Sequence, residues 1–227
     1  MVIDVVIPAL NEEGAIAKVV GDIPKSLVRN IVVVDNASTD NTAAVAEAAG
    51  ALVVRQNQKG YGAACLAGIA KVAENPIKPD ILVFLDGDYS DHPEQMPLLV
   101  NPIIAGESDM VIGSRAKGQR EAGAMAPQQI FGNWLATFLI RLIYKYRYSD
   151  LGPFRAISWK ALQQIGMRDE DFGWTVEMQI KALKEKLKVS EVPVDYRQRE
   201  GHSKITGTLR GTVMAGYKII YTIFKYA

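Results

Sequence analysis

The chain has one cysteine and two histidines in 227 residues. A lone thiol excludes an internal disulfide and with it the cross-linked scaffold of small secreted domains. Cys65 stands in the small-residue run "YGAACLAGIA" and reads as a packed core thiol. His92 and His202 are isolated and suggest no imidazole metal centre; His92, after Asp91, reads as part of a surface turn. Charge of either sign is also scarce in excess. The 26 basic and 25 acidic residues leave a formal net charge of +1, which argues against a large nucleic-acid footprint. No uncharged apolar run reaches the roughly 18 residues of a membrane span. The opening "MVIDVVIPALNEE" lacks the basic leader and long apolar run of a signal peptide. Repeats and low-complexity linkers are absent. With 48% apolar and 22% charged residues, the chain is expected to bury a substantial core as a single domain over residues 1–227.

What is present is alternation. "VIDVVIPAL", "NIVVVDNAS", "ALVVRQN" and "DILVFLDGD" read as strands, their Val/Ile runs suited to cover on both faces. Between them, "NEEGAIAKVVGDI", "STDNTAAVAEAAG" and "KGYGAACLAGIAKVA" read as helices. Glu12 and Glu13 fall in the first turn of the first, and Ser38 and Gly50 suit the start and stop of the second. This βαβ pattern predicts a doubly wound, mostly parallel α/β sheet. Farther on, "DMVIGSR" and "VSEVPVDYRQR" read as strands and "DLGPFRAISW" as an irregular strand-like piece. Residues 128–147, "WTVEMQIKALKEK" and residues 209–227 read as helices. In open α/β sheets ligands bind beyond the carboxyl ends of the strands. Here four successive ends are polar: Asn11-Glu12-Glu13, Asp35-Asn36, Arg55-Gln56-Asn57 and Asp86-Gly87-Asp88.

The last of these is the most pointed. Side chains at i and i+2 of an extended backbone share a side, and two carboxylates facing one point repel unless a cation neutralises them. A hard divalent ion, Mg²⁺ or Mn²⁺, with the rest of its shell from substrate phosphates fits such a pair. Asp-x-Asp alone is a weak pattern; its place at a strand end strengthens it.

The pieces "VVIPALNEE", "IVVVDNASTDNT", "NQKGYGAACLAGI", "FLDGDYSDHPE", "MVIGSR", "DLGPFRAI" and "REGHSKITGTLRG" together resemble the family 2 glycosyltransferases of the GT-A fold, in particular the dolichyl- or polyprenyl-phosphate mannosyl- and glucosyltransferase group. They follow the family's order over about 200 residues. The resemblance implies an inverting transfer from a nucleotide-diphosphate sugar. It places Pro8, Ala9, Asn11 and Glu12 near the nucleoside, Asp35 on the base, and Lys59 and Gly60 in the donor-side loop. Asp86 and Asp88 become the metal pair, with Asp88 catalytic. It also implies a donor half in residues 1–115 and an acceptor half in 116–227. One position departs: Ser90 stands where the lipid-phosphate enzymes often have Gln.

For the acceptor, the same resemblance maps a phosphate site onto Arg115, Arg199, Ser203 and Lys204. Arg155 belongs to the same gathering of basic residues. Arginine forks suit a phosphate monoester. A hydroxyl acceptor would instead need a carboxylate base, for which Asp150 and Glu177 are the candidates. Two segments fit a lipid surface. Helix 128–147 has the apolar set Phe131, Trp134, Leu135, Phe138, Leu142 and Ile143 beside Arg141, Lys145 and Arg147. The last helix carries Met214, Tyr217, Tyr221 and Phe224 on one stripe and Arg210, Lys218 and Lys225 on another. The expectation is a cytoplasmic enzyme, peripheral at the membrane face.

Two alternatives remain at this level. A saccharide acceptor is one, although the Gln-x-x-Arg-Trp signature of chain-elongating relatives is missing. A catalytically silent nucleotide-binding module is another. Pyrophosphorylase and dinucleotide oxidoreductase readings want a glycine-rich loop after the first strand, and "PALNEEGA" supplies none.

Overall fold

The computed structural model describes residues 1–201 and 209–227. A single seven-stranded sheet runs in the order β3-β2-β1-β4-β6-β5-β7. The strands are β1 Ile3–Ala9, β2 Asn30–Asp35, β3 Leu52–Arg55, β4 Ile81–Phe84, β5 Met110–Ser114, β6 Arg155–Ser158 and β7 Val189–Pro193. All pair in parallel except β6, which lies antiparallel between β4 and β5. Within the strand-like piece 150–159, Arg155–Ser158 is thus a central strand.

Both faces of the sheet are buried, which is why β1, β2 and β4 are apolar without alternation. Val6, Val34 and Phe84 point into one core, and Val5, Val33 and Val83 into the other. The first face is covered by α3 (Tyr61–Glu74), α5 (Pro127–Tyr144), α6 (Trp159–Ile165), α7 (Trp174–Lys184) and α8 (Leu209–Lys225). The second is covered by α1 (Ile16–Asp22), α2 (Thr42–Ala48) and α4 (Met96–Ile104). Cys65 is fully buried in the first core, as its small-residue setting implied.

Several local readings need correction. Helix α1 begins at Ile16, so Glu12 and Glu13 precede it; the Glu13 carboxylate instead accepts from the Asn41 N–H at the start of α2. Ser38 does not cap α2. Its hydroxyl accepts from the Asn11 N–H, and Asp40 takes the Thr42 N–H. Strand β7 stops at Pro193, and residues 194–200 cross the sheet's carboxyl edge as irregular chain. Helix α4 escaped the sequence reading because Pro97 and Pro102 mask its period; α6 is only seven residues, started by the Ser158 hydroxyl accepting from Ala161.

Close approach of α3 to the sheet depends on Gly68. A Cβ there would stand 2.4 Å from Val6 Cγ1 and 3.1 Å from Val34 Cγ2. Gly68→Ala is therefore expected to lose about 1–3 kcal/mol of stability through overpacking. Urea denaturation would show this as a lower midpoint at unchanged slope; an unchanged midpoint would mean that α3 can lift without loss.

Candidate active site

The carboxyl ends of β2, β1 and β4 lie side by side, and β1 is where the chain's winding reverses, with β2 on one flank and β4 on the other. A cleft opens there in two adjoining lobes of about 290 and 270 Å³ that share Tyr61, Asp86, Asp88, Phe172 and Arg199. Pro8, Ala9, Glu12, Lys59 and Gly60 line the first lobe. Arg115, Leu151, Gly132, Ala215 and Ile219 line part of the second.

The loops after β1 and β2 are latched together behind the first lobe. Asn11, in the left-handed region at φ 54°, accepts from the Thr39 N–H at 2.7 Å, and Asp35 accepts from the Ser38 N–H at 3.0 Å. Asn11 and Asp35 brace the loops and do not stand on the wall of either lobe. Asn36 does, and sequence reasoning gave it no role. Its amide donates to the Gln58 carbonyl and accepts from the Gly60 N–H at 2.8 Å, setting the start of α3. Gly60 sits at φ 149°, and a Cβ there would meet the Glu170 carbonyl. The polar strand end Asp35-Asn36 was the available signal.

Strand β4 ends at Phe84 and a turn follows at Gly87 and Asp88, so the aspartate pair stands just beyond the strand. Asp88 is held from two sides: Ser90 donates to Oδ1 through N–H and hydroxyl, at 2.9 and 2.5 Å, while Arg199 pairs with Oδ2 at 2.5 Å. Ser90, the departure from the family pattern, is thus a buried support for Asp88. Asp86 has a buried oxygen, Oδ1, with no hydrogen-bond partner. Burial, then the neighbouring Asp88 charge, pushes its carboxyl up to about 6 against the opposing pull of Arg199. A third acid, Asp91, is buried beside them. It accepts from the Asp86 N–H, and burial together with Asp86 and Asp88 drives its carboxyl well upward.

These groups fit a divalent ion. They offer hard oxygen donors, an unsatisfied carboxylate oxygen and an excess of closely spaced acid. Among the described residues no cluster of three or more acidic, histidine or cysteine side chains could hold a metal. Asp86 and Asp88 would therefore bind it together with oxygens that the protein does not supply.

Arg115 reaches the second lobe from the end of β5. Its Nε and one terminal nitrogen make a fork onto Asp150 at 2.8 and 2.7 Å, and its N–H adds a third bond. Burial alone would raise the Asp150 carboxyl, but the Arg115 charge and these bonds hold it below its usual range. Asp150 is thus a support for Arg115, without the free oxygen that a base needs.

Two further expectations are corrected. Arg155 is buried, and its guanidinium donates to the carbonyls of Leu151, Gly152 and Thr175; it has no face toward an acceptor. Glu177 lies on neither lobe. It accepts from the N–H groups of Arg168 and Asp169, from the Tyr226 hydroxyl, and pairs with Lys181 at 2.8 Å. Burial opposes its charge, but these bonds hold its carboxyl below the usual range. Its work is to hold the 168–173 loop, which packs on the start of α3 and brings Phe172 to the cleft. His202, Ser203 and Lys204 lie outside the described residues, as does the side chain of Arg210.

The Glycosyl transferase family 2 model matches residues 4–166, and the chain belongs to that family. It is 32% identical over 209 residues to the low-salt glycan biosynthesis hexosyltransferase Agl6 of Haloferax volcanii, covering 89% of this chain and 49% of that protein. The chain therefore spans about half the length of that relative. It is also 30% identical to a UDP-N-acetylglucosamine–dolichyl-phosphate N-acetylglucosaminyltransferase of Methanococcus voltae, over 96% of this chain and 93% of the other. Among solved structures, glucosyl-3-phosphoglycerate synthase of Mycobacterium tuberculosis in complex with Mn²⁺, UDP-glucose and phosphoglyceric acid superposes with a TM-score of 0.78 at 26% identity, over 99% of this chain and 79% of that one. The GT-A fold and a hexosyltransferase class of enzyme follow.

The raised Asp86 carboxyl has a thermodynamic consequence. The unfolded side chain titrates near 3.8 and the folded one near 6, so between these values the folded state holds a proton that unfolding releases. Stability of the metal-free protein should fall as pH climbs from about 4 to about 6. Asp86→Asn is expected to raise the melting temperature in EDTA at pH 7.5, by about 1–3 kcal/mol of stability, and to lose that advantage near pH 4. A variant less stable than the parent at pH 7.5 would show that Arg199 compensates the carboxylate fully.

Proposed function

We propose that the chain is an inverting hexosyltransferase that moves a sugar from a nucleotide diphosphate, such as GDP-mannose or UDP-glucose, to a polyprenyl or dolichyl phosphate. The observation that carries this reading is the second lobe. It joins Arg115 and Arg199 at the aspartate pair to a passage lined by Gly132, Ala215, Gly216 and Ile219, between α5 and α8. A phosphate at the deep end and an apolar chain at the shallow end suit such a lobe.

In this reading the first lobe takes the donor, with Lys59 near its phosphates and the aspartate pair at the diphosphate. Mg²⁺ or Mn²⁺ held by Asp86 and Asp88 would supply charge to stabilise the departing nucleotide diphosphate. Arg115, fixed by Asp150, and Arg199 bind and aim the acceptor phosphate. With a second pKa of roughly 6, that phosphate is largely dianionic at neutral pH. It can attack the anomeric carbon without a positioned base, consistent with Asp150 and Glu177 both being engaged elsewhere. Ser203 and Lys204 belong to the same proposed phosphate site. Residues 1–115 then supply most of the donor lobe and residues 116–227 most of the acceptor lobe.

Two stripes support a reading in which the chain touches the cytoplasmic face of a membrane peripherally. Phe131, Trp134, Phe138 and Leu142 on α5 are exposed, as are Met214, Tyr217, Tyr221 and Phe224 on α8. Aromatic side chains suit the interface. No helix among the described residues is long and apolar enough to cross a membrane.

A second reading is transfer to a hydroxyl of a soluble phosphorylated acceptor. The Mycobacterium tuberculosis neighbour holds phosphoglyceric acid with its UDP-glucose, and the same two arginines would serve.

The test is titration calorimetry with nucleotide diphosphates and their sugars, with Mn²⁺ or with EDTA, followed by transfer to polyprenyl phosphate and to phosphoglycerate. The expected result is metal-dependent binding of one nucleotide, lost in Asp88→Ala. Arg115→Lys, which keeps the charge but loses the fork, is expected to raise KM for polyprenyl phosphate about tenfold and leave nucleotide affinity unchanged. Turnover of phosphoglycerate alone would select the second reading. Nucleotide binding without turnover of either acceptor would leave a silent module.

A further inference from the structure

A separate cavity of about 480 Å³ lies on the other side of Asn133 from the acceptor lobe. Four cations line it, Lys117, Arg120, Arg141 and Arg147, against two carboxylates, Asp150 and Glu191. Both carboxylates are committed. Asp150 holds Arg115. Glu191 accepts from the N–H groups of Ser149 and Asp150, from the Ser149 hydroxyl, and from Lys117 at 2.9 Å. The three arginines are not. Among the described residues the Arg120 side chain donates only to the Met125 sulfur at 3.5 Å, and neither Arg141 nor Arg147 pairs with any carboxylate. Three exposed guanidinium groups around a concave floor are an unneutralised positive site that the transfer chemistry does not use.

The rim of the cavity identifies what would fill it. Ile130, Trp134 and Phe138 line it, and the same three side chains are exposed on the outer stripe of α5. Trp134 and Phe138 stack with ring centroids 5.8 Å apart. A ligand seated here would put its anion on the arginines while the aromatic rim lies in apolar surroundings. A free phosphate would use the arginines and leave the rim in water. A phosphate that is the headgroup of a bilayer lipid uses both.

We propose that this cavity binds the headgroup of an anionic phospholipid, a site distinct from that of the acceptor and serving to dock α5 on the membrane. The inference rests on the membrane-facing reading of α5 given above. It adds that recruitment depends on the charge of the surrounding lipid, and that three named arginines, not the apolar stripe alone, read that charge. Because Asn133 and Met125 stand on both the cavity and the acceptor lobe, a lipid held here would turn the mouth of the acceptor lobe toward the bilayer.

The experiment is co-sedimentation of the full chain with phosphatidylcholine vesicles, with and without phosphatidylglycerol. The parent is compared with Arg120→Gln/Arg141→Gln/Arg147→Gln and with the charge-matched control Lys25→Gln/Lys71→Gln/Lys78→Gln. Phosphatidylglycerol should tighten binding of the parent. At about fivefold per basic residue near an anionic surface, the arginine variant should lose about a hundredfold of that binding. The control should lose a few-fold at most, and calorimetric nucleotide binding should be the same in all three. Equal losses in the two variants would reduce the effect to overall charge and overturn the site. So would parent binding that ignores phosphatidylglycerol. Saturable binding of glycerol phosphate that needs the arginines, without any preference for anionic vesicles, would assign the cavity to a free phosphate compound instead. If vesicle binding fails while detergent-solubilised polyprenyl phosphate is still glycosylated, this inference falls and the proposed catalytic function stands.

Discussion

Beyond the end of a central strand stand Asp88, buried, and Asp86, half-buried with one oxygen out of reach of water, and much of the surrounding structure answers that one cost. Desolvated like charges raise each other's proton affinity. Here the response is distributed. Ser90 and Arg199 stabilise the charge on Asp88, while Asp86 and Asp91 are pushed toward their neutral forms. One oxygen of Asp86 remains without any partner. Under the proposed function, a cation that arrives with the donor would relieve this cost.

The same logic orders the acids around the cleft. Asp150 and Glu177 are suited by residue type to proton transfer, yet each is saturated by donors it holds in place. Asp150 fixes the plane of Arg115, and Glu177 fixes the loop that delivers Phe172. A carboxylate with its charge held below the usual range by fixed bonds is a poor base and a good strut. The cleft therefore contrasts an under-compensated acidic floor with an arginine whose orientation is set by a buried partner.

Much of the fold was legible because its signals are local. The Val/Ile runs of β1, β2 and β4 lack alternation, which only burial on both faces explains, and the polar ends that follow them do converge on one cleft. The strand-end pattern singled out the aspartate pair, the family resemblance pointed to Lys59, Gly60 and Arg115, and all five line the cleft. What failed were long-range properties. Nothing in "FRAIS" says that its backbone runs against β4 and β5, and only that placement turns Arg155 inward onto three carbonyls. Glu177 is bound by residues eight and 49 positions away, which no window reveals. Asn36 was visible as a polar strand end but its bond to Gly60 belongs to the tertiary structure. Ser38, Glu12 and Glu13 satisfied capping rules at the wrong helix ends because the loops after β1 and β2 cap each other.

The two helices at the mouth of the acceptor lobe show a similar division between what packs and what does not. Helix α5 buries Ala136 and Ile140 against the core and leaves Phe131, Trp134, Phe138 and Leu142 outside. Helix α8 buries Thr222 and Ile223 and leaves Met214, Tyr217, Tyr221 and Phe224 outside. Single exposed apolar residues are ordinary on a protein surface, but eight large ones on two helices that pack together are more than core packing explains. Core packing accounts for the inner stripe only. Under the proposed function the outer stripe meets the apolar part of a membrane, and the lobe lined by Gly132 and Gly216 leads from there to the aspartate pair. An acceptor that is charged at one end and apolar at the other satisfies both ends of that route at once. Under the proposed function a lipid-linked acceptor accounts for the arginines and the apolar passage together, whereas a soluble one accounts for the arginines alone.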